Sequence, residues 1–121
     1  MGINTPKIIT TISATLPLED VIAPTLLNSW VNFDGGYLQA GYFKDGSGRI
    51  YLQGLIKSGT VGSAAFNLPV GYRPTNQLLF CSVSYHPANP ARVDIASNGN
   101  VIIQIPTDNR YVSLDGINFR P

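Results

Sequence analysis

The sequence predicts an all-β domain, an antiparallel β-sandwich of jelly-roll type, and three observations carry that expectation. First, 12 Gly and 9 Pro are spread along 121 residues, so after Trp30 no window long enough for a helix keeps a 3.6-residue period without a breaker. Second, about seven or eight short β-branched or aromatic runs recur at roughly ten-residue spacing, the pattern of sandwiches and barrels. Third, Asp-Gly and Asn-Gly pairs stand between those runs, where hairpins turn.

Taken in chain order, KIITTI (residues 7–12) is β-branched and reads as a strand. SATLPLEDVIAP (13–24) is the one region where a turn of helix is expected, shortened by Pro17 and Pro24. LLNSWVNF (26–33) and GGYLQAGYFK (35–44) read as strands, and DGSG (45–48) turns the second into RIYLQGLIK (49–57). In that run a period of two places Ile50, Leu52, Gly54 and Ile56 on one face, expected to be the core face, and Tyr51, Gln53, Leu55 and Lys57 on the other. A short strand is expected around 64–68 and a long one over 77–86, ended by PANP. ARVDIASNGNVIIQIP (91–106) is a hairpin: Val93 and Ile95 alternate with Arg92 and Asp94, and Asn98-Gly99 suits a type I′ turn. YVSLDGINF (111–119) closes the chain with a turn or bulge at Asp115-Gly116. Between the middle strands, NLPVGYRPTNQLLF (67–80) reads as a corner, with Tyr72 packed across it and Arg73 on the surface or in an interface.

Composition narrows the function classes. Eight Lys and Arg against seven Asp and Glu leave a net charge of +1, so no bulk field points to nucleic acid or an anionic membrane. Neither nucleic-acid binding nor membrane insertion is expected, and no apolar run approaches the ~18 residues of a membrane span. Only 12% of residues are charged while 44% are hydrophobic and six are Tyr, against ~25% charged in ordinary soluble domains. Low charge with abundant Tyr suits surfaces hidden in contacts, because interface cores are depleted in charge and enriched in aromatics. The single cysteine, Cys81, excludes an intrachain disulfide.

Catalysis needs titratable groups in convergence, and the chain carries few. His86 lies five positions after Cys81, so on a continuous strand the two side chains point to opposite faces and form no thiol–imidazole pair. One Cys with one His gives no zinc spacing, and no cofactor or metal is expected. Asp34, Asp45 and Asp115 each precede Gly, which is turn chemistry before it is acid–base chemistry. Trp30, Phe33, Phe43, Phe66, Phe80 and Phe119 lie in apolar strand contexts and are expected in the core. Tyr72, Tyr85 and Tyr111 border loops instead. The mixture of Tyr85, His86, Asn89, Asp108, Asn109, Arg110 and Tyr111 suits carbohydrate, whose C–H faces pack on rings while amides, carboxylates and guanidinium bond its hydroxyls.

Five blocks in fixed order, LLNSWVNFDGGY, YFKDGSGRIYLQGLIKSG, FNLPVGYRP, ARVDIASNGNV and YVSLDGINFRP, resemble the C-terminal head domain of phage and prophage tail-fibre proteins. The resemblance spans residues 26–121, and residues 1–25 are then an N-terminal arm or the end of a fibre shaft. It implies a β-sandwich head at the virion tail tip, usually a homotrimer among other tail proteins, that recognises a wall polysaccharide, teichoic acid or another surface receptor without catalysis. The alternative is a trimeric tail or baseplate module without a ligand site. The family's shared motifs are architectural, so the resemblance assigns no binding residue by position.

Overall fold

A computed structural model describes residues 18–85, 89–105 and 107–121; the strand expected over 7–12 lies outside them. Among the described residues there is no helix, and ten strands form two antiparallel sheets. Seven of them, β1 (Val31–Asn32), β4 (Leu55–Lys57), β5 (Ala64–Asn67), β6 (Leu78–Ser84), β7 (Asn89–Ile95), β8 (Asn100–Ile103) and β9 (Val112–Ser113), make one sheet in the order β1-β4-β9-β6-β7-β8-β5. The other three, β2 (Gly41–Lys44), β3 (Ile50–Gln53) and β10 (Asn118–Phe119), make a sheet in the order β10-β3-β2. Phe66, Ile56, Val93, Ile103 and Val112 from the large sheet meet Ile50 and Phe119 from the small one in a single core. This is the antiparallel sandwich the sequence predicts.

The run RIYLQGLIK departs from expectation in one respect. Ile50, Leu52 and Ile56 are buried as the alternation requires, but the run is two strands in two sheets, β3 and β4, parted at Gly54. Gly54 takes φ +112°, and a Cβ there would stand 2.6 Å from the backbone of Ala40, so only glycine fits the crossing. Its N–H donates to Asp115 Oδ1 at 2.7 Å and its carbonyl accepts from Leu114 at 2.8 Å. The backbone groups freed by the bend are thereby satisfied.

Three other expectations change for local reasons. LLNSWVNF is strand only at Val31–Asn32, because Asn28 and Ser29 adopt φ of 55° and 69° and drop Trp30 into the core. There the indole lies so close to Gly59 that a Cβ would sit 1.9 Å from its ring. The described part of the segment expected to turn helically, 18–24, contains no helix; Ile22 bridges Tyr42 through backbone bonds of 2.8 and 3.0 Å. The PANP segment does not simply end a strand, since β7 begins at Asn89 and carries Pro90 opposite Val83. β8 pairs only with Val93 to Ile95, so on that side Pro90 has no neighbour that would need its missing N–H.

The hairpin between β7 and β8 forms, with a different turn from the type I′ expected. Of the Asn98-Gly99 pair only Gly99 has a positive φ, +94°, and its N–H donates to Ala96 O at 2.9 Å. That is a three-residue loop closed by a left-handed glycine. The reason is contact with the 67–73 corner: Gly99 O accepts from Leu68 N–H at 2.8 Å, and a Cβ at Gly99 would meet Leu68 O at 2.3 Å. In that corner Tyr72 N–H donates to Pro69 O at 3.0 Å and Gly71 takes φ +97°, a type II arrangement. Arg73 is half-buried at the surface and also braces the corner; its Nε donates to Leu68 O at 2.8 Å and its Nη2 to Asn67 Oδ1 at 3.2 Å.

Candidate functional site: an aromatic cleft on the outer sheet face

Cross-strand register decides which side chains share the outer face of the seven-stranded sheet. Val112 lies between Ile56 and Ser84 on the inner face, and all three are fully buried. Their chain neighbours therefore point outward: Lys57 opposite Val31, Leu55 opposite Ser113, and Val83 opposite Pro90.

The loop after β1 completes this surface. Asp34, Gly35 and Gly36 take φ of 64°, 62° and 91° in succession, a tight left-handed bend that returns Tyr37 onto Phe33. The bend is held by Tyr37 N–H to Asp34 O at 3.2 Å, and its flanks by Phe33 N–H to Leu55 O at 2.9 Å and Leu55 N–H to Leu38 O at 3.0 Å. Phe33 then meets Tyr37 edge-on at 5.5 Å and Tyr111 edge-on at 5.8 Å, and Tyr111 meets Tyr85 at 5.5 Å. The result is a row of four rings, Tyr37–Phe33–Tyr111–Tyr85. Cations stand over two of them, with Lys57 Nζ 5.2 Å from the Phe33 centroid and Arg110 Cζ 3.9 Å from that of Tyr85. Beside the row lies a cleft of about 250 Å³ lined by Phe33, Tyr37, Leu55, Val83, Tyr111, Ser113 and Asp115.

Of the residues that the sequence nominates, Tyr85, Asp108, Arg110 and Tyr111 come together at one end of the ring row. Arg110 grips Asp108 through Nη2 at 2.7 Å and Nε at 3.1 Å. Those bonds, with the Arg110 backbone N–H, hold the Asp108 carboxyl below its ordinary range. Asn109 is exposed but tied to the neighbouring loop, its Nδ2 donating to Gly59 O at 2.9 Å while its backbone carbonyl accepts from Ser58 N–H at 2.8 Å. Asn89 starts β7 as an exposed residue opposite Ser84, whose Oγ donates to the Asn89 carbonyl at 3.3 Å. His86 lies in the segment 86–88, outside the described residues. Tyr72 belongs elsewhere, at the corner, edge-on to Tyr42 at 5.3 Å with its hydroxyl donating to Glu19.

Sequence reasoning missed most of the cleft. Phe33 was expected in the core, but its ring sits half-buried in the outer row, and Phe43 likewise stacks on Tyr51 at 5.0 Å away from the buried cluster. Trp30, Phe66 and Phe119 are in the core and Phe80 packs against it. A signal for Phe33 and Tyr37 was present, because two rings flanking Asp-Gly-Gly border a turn as Tyr85 and Tyr111 border theirs. Leu55 and Ser113 carried none without knowledge of the sheet crossing at Gly54.

Chemically, the surface offers ring edges and faces, tyrosine and serine hydroxyls, and an ion pair already closed on itself. Asp115 Oδ1 accepts from Gly54 N–H and Asp108 is bound by Arg110, so both carboxylates have structural partners. Among the described residues no group of three or more His, Cys, Asp or Glu is placed to hold a metal ion. Such a surface can hold a polyhydroxylated ligand by stacking and hydrogen bonding.

The fold and its outer cleft thus define an antiparallel β-sandwich with a ring-lined sheet face. No protein-family model matches the chain, and no curated protein does. Among solved structures, the receptor binding protein (gp15) of Listeria phage PSA superposes with a TM-score of 0.68 at 19% sequence identity, over 95% of this chain and 71% of that one. At that identity the two share the fold.

Proposed function

We propose that this chain is a non-enzymatic receptor-binding head of a phage or prophage tail fibre, one that recognises carbohydrate on the bacterial surface. The observation that carries the proposal is the ring row Tyr37–Phe33–Tyr111–Tyr85, on a sandwich that matches a phage receptor binding protein over 95% of its length. In this reading residues 26–121 form the head, residues 1–25 the arm or shaft end that leads into it, and the molecule is a homotrimer at the virion tail tip among other tail proteins. Wall polysaccharide or teichoic acid stacks on Tyr85 and Tyr111, with Asp108, Arg110 and Asn89 at the rim and Asn109 bracing the loop; His86 is a further contact nominated by the sequence. Three weak sites engaged together raise avidity by ~10² to 10⁴ without any strong single site.

The test is binding of the purified protein to host cells and isolated wall glycan. Tyr111→Ala and Tyr85→Ala should each weaken single-site binding roughly tenfold, the equivalent of ~1.4 kcal/mol, with the fold intact by circular dichroism. Capture of a tail protein with no binding to any wall glycan would replace this reading with that of a structural tail module.

A further inference from the structure

The cleft beside the rings has a polar edge that stacking does not use. Ser113 and Asp115 line it along with the aromatic side chains, Leu55 and Val83, and the backbone fixes both polar groups. Asp115 N–H donates to Ser113 Oγ at 3.1 Å, and Asp115 Oδ1 accepts from Gly54 N–H at 2.7 Å. The Ser113 hydroxyl therefore keeps its hydrogen to donate, and among the described residues no donor bonds Asp115 Oδ2. One donor thus stands beside one acceptor, the pair that two adjacent hydroxyls of a sugar require.

Charge limits what can sit there. Among the described residues the ion pairs are Arg92–Asp94 and Arg110–Asp108, so no cation is bonded to the Asp115 carboxylate. Lys57 stands over Phe33 and Arg110 over Tyr85, and neither lines the cleft. An anion in the cleft would meet a carboxylate without a compensating cation, and such like-charge contact is how a site rejects a wrong ligand. Volume is a second limit. At about 250 Å³ the cleft falls below the ~300–1,000 Å³ of ordinary ligand sites, which leaves room for one sugar unit. Leu55 and Val83 give its C–H face an apolar surface to pack on.

We propose that the cleft takes a single uncharged sugar unit, its adjacent hydroxyls bound by Ser113 Oγ and Asp115 Oδ2, and rejects units that carry phosphate or carboxylate. The proposal rests on the receptor-binding reading above and narrows its ligand: a neutral polysaccharide residue or a neutral glycosyl branch enters, and a phosphodiester backbone does not. Asp115 is then the residue that discriminates.

Amide NMR titration of the full chain tests this, with methyl glycosides of glucose, galactose and N-acetylglucosamine as neutral probes and methyl glucuronide, methyl galacturonide and glycerol phosphate as anionic ones. At least one neutral probe should move the Ser113 and Asp115 amides, and the anionic probes should bind roughly tenfold more weakly or worse. In Asp115→Asn, whose amide oxygen can still accept from Gly54 N–H, that preference should fall to about twofold or less, a change that a purely structural role would not produce. Silence of every neutral probe, anionic probes bound as tightly as neutral ones, or a preference unchanged in the variant would each overturn the proposal. Should the variant not fold, the comparison of probes on the unaltered chain decides it. Binding to purified teichoic acid and to phosphate-free wall polysaccharide, measured alongside, shows which polymer carries the unit. Polymer binding that leaves Ser113 and Asp115 unmoved overturns the proposal and leaves the receptor-binding head standing, whereas no binding to either polymer or to host cells overturns both.

Discussion

Tyr72 shows how one side chain ties the N-terminal segment to the corner. Its ring lies edge-on to Tyr42 at 5.3 Å, Lys44 Nζ stands 4.5 Å above its centroid, and its hydroxyl donates to Glu19. Glu19 also accepts from the Lys44 backbone N–H at 2.7 Å, so the carboxylate joins the 18–22 segment to both the small sheet and the corner. The two groups shift in opposite directions. The bond to Tyr72 and then that to Lys44 lower the Glu19 carboxyl, and the bond to Glu19, ahead of burial, pushes the Tyr72 phenol up to about 12. The phenol's folded value thus lies above its unfolded value of ~10. Its contribution to stability is complete below pH ~10 and disappears as pH rises through the folded value. Ultraviolet titration of the native protein should therefore show late-ionising tyrosine, with one fewer late group in Tyr72→Phe. An unchanged late amplitude in that variant would mean that the hydroxyl is not held by Glu19.

Among the elements, Gly54 does what no other residue type could, switching the chain between sheets. Gly54→Ala combines a left-handed φ that costs ~1–3 kcal/mol with backbone crowding worth roughly another 1–3 kcal/mol. Chemical denaturation should show a loss of about 2–6 kcal/mol, and a loss under ~1 kcal/mol would mean that the crossing relaxes freely. This element also marks where the sequence stopped being legible. Asp45-Gly46 and Asn98-Gly99 announce their hairpins locally, because Asp, Asn and Gly favour turns, although the type of the second turn is set by its contact with the 67–73 corner. RIYLQGLIK alternates without interruption through Gly54, so nothing local reveals that its two halves join different sheets. The core face was readable all the same, since Ile50, Leu52 and Ile56 face a shared interior from either sheet. Leu55 and Lys57 were not placed beside Ser113 and Phe33, because that neighbourhood depends on the crossing. Asp94 is a similar case: alternation puts it outward with Arg92, and outward it is, yet it is fully buried beneath Arg92, Gln77 and Gln104. Tyr85, Asp108, Arg110 and Tyr111 were legible as a cluster, since they flank loops at neighbouring strand ends. Asn109 was not separable from them, since only the fold brings Gly59 within reach of its amide.

Across the whole molecule, carboxylates fasten each region of the sandwich, and together they set its response to acid. Glu19 fastens the N-terminal segment, Asp45 the β2–β3 hairpin, Asp94 the middle of the outer face and Asp108 the ring row. Asp45 accepts from Ser47 Oγ at 2.7 Å, from the Arg49 and Ser47 backbone N–H groups at 2.9 Å each, and from Tyr51 OH at 2.9 Å. Those donors, Ser47 Oγ and the Arg49 N–H foremost, bring its carboxyl down to about 2. Burial alone would raise the Asp94 carboxyl, but Arg92, Gln104 and Gln77 together reverse that and leave it below its ordinary value. Each of the four has a folded value below its unfolded one. Each therefore adds stability in full above the unfolded value of ~4 and loses it as pH falls through the folded value. The thermal midpoint should stay flat between pH 8 and pH 5 on the carboxylates' account, then fall below pH ~4 and go on falling toward pH ~2 as Asp45 protonates last. Asp45→Asn removes that last contribution, so its midpoint should lie below that of the unaltered protein at neutral pH and the two should converge near pH ~2. A gap that persists unchanged to the acid end would show that the Asp45 charge does not hold the hairpin, and that its amide replacement harms the turn by geometry alone.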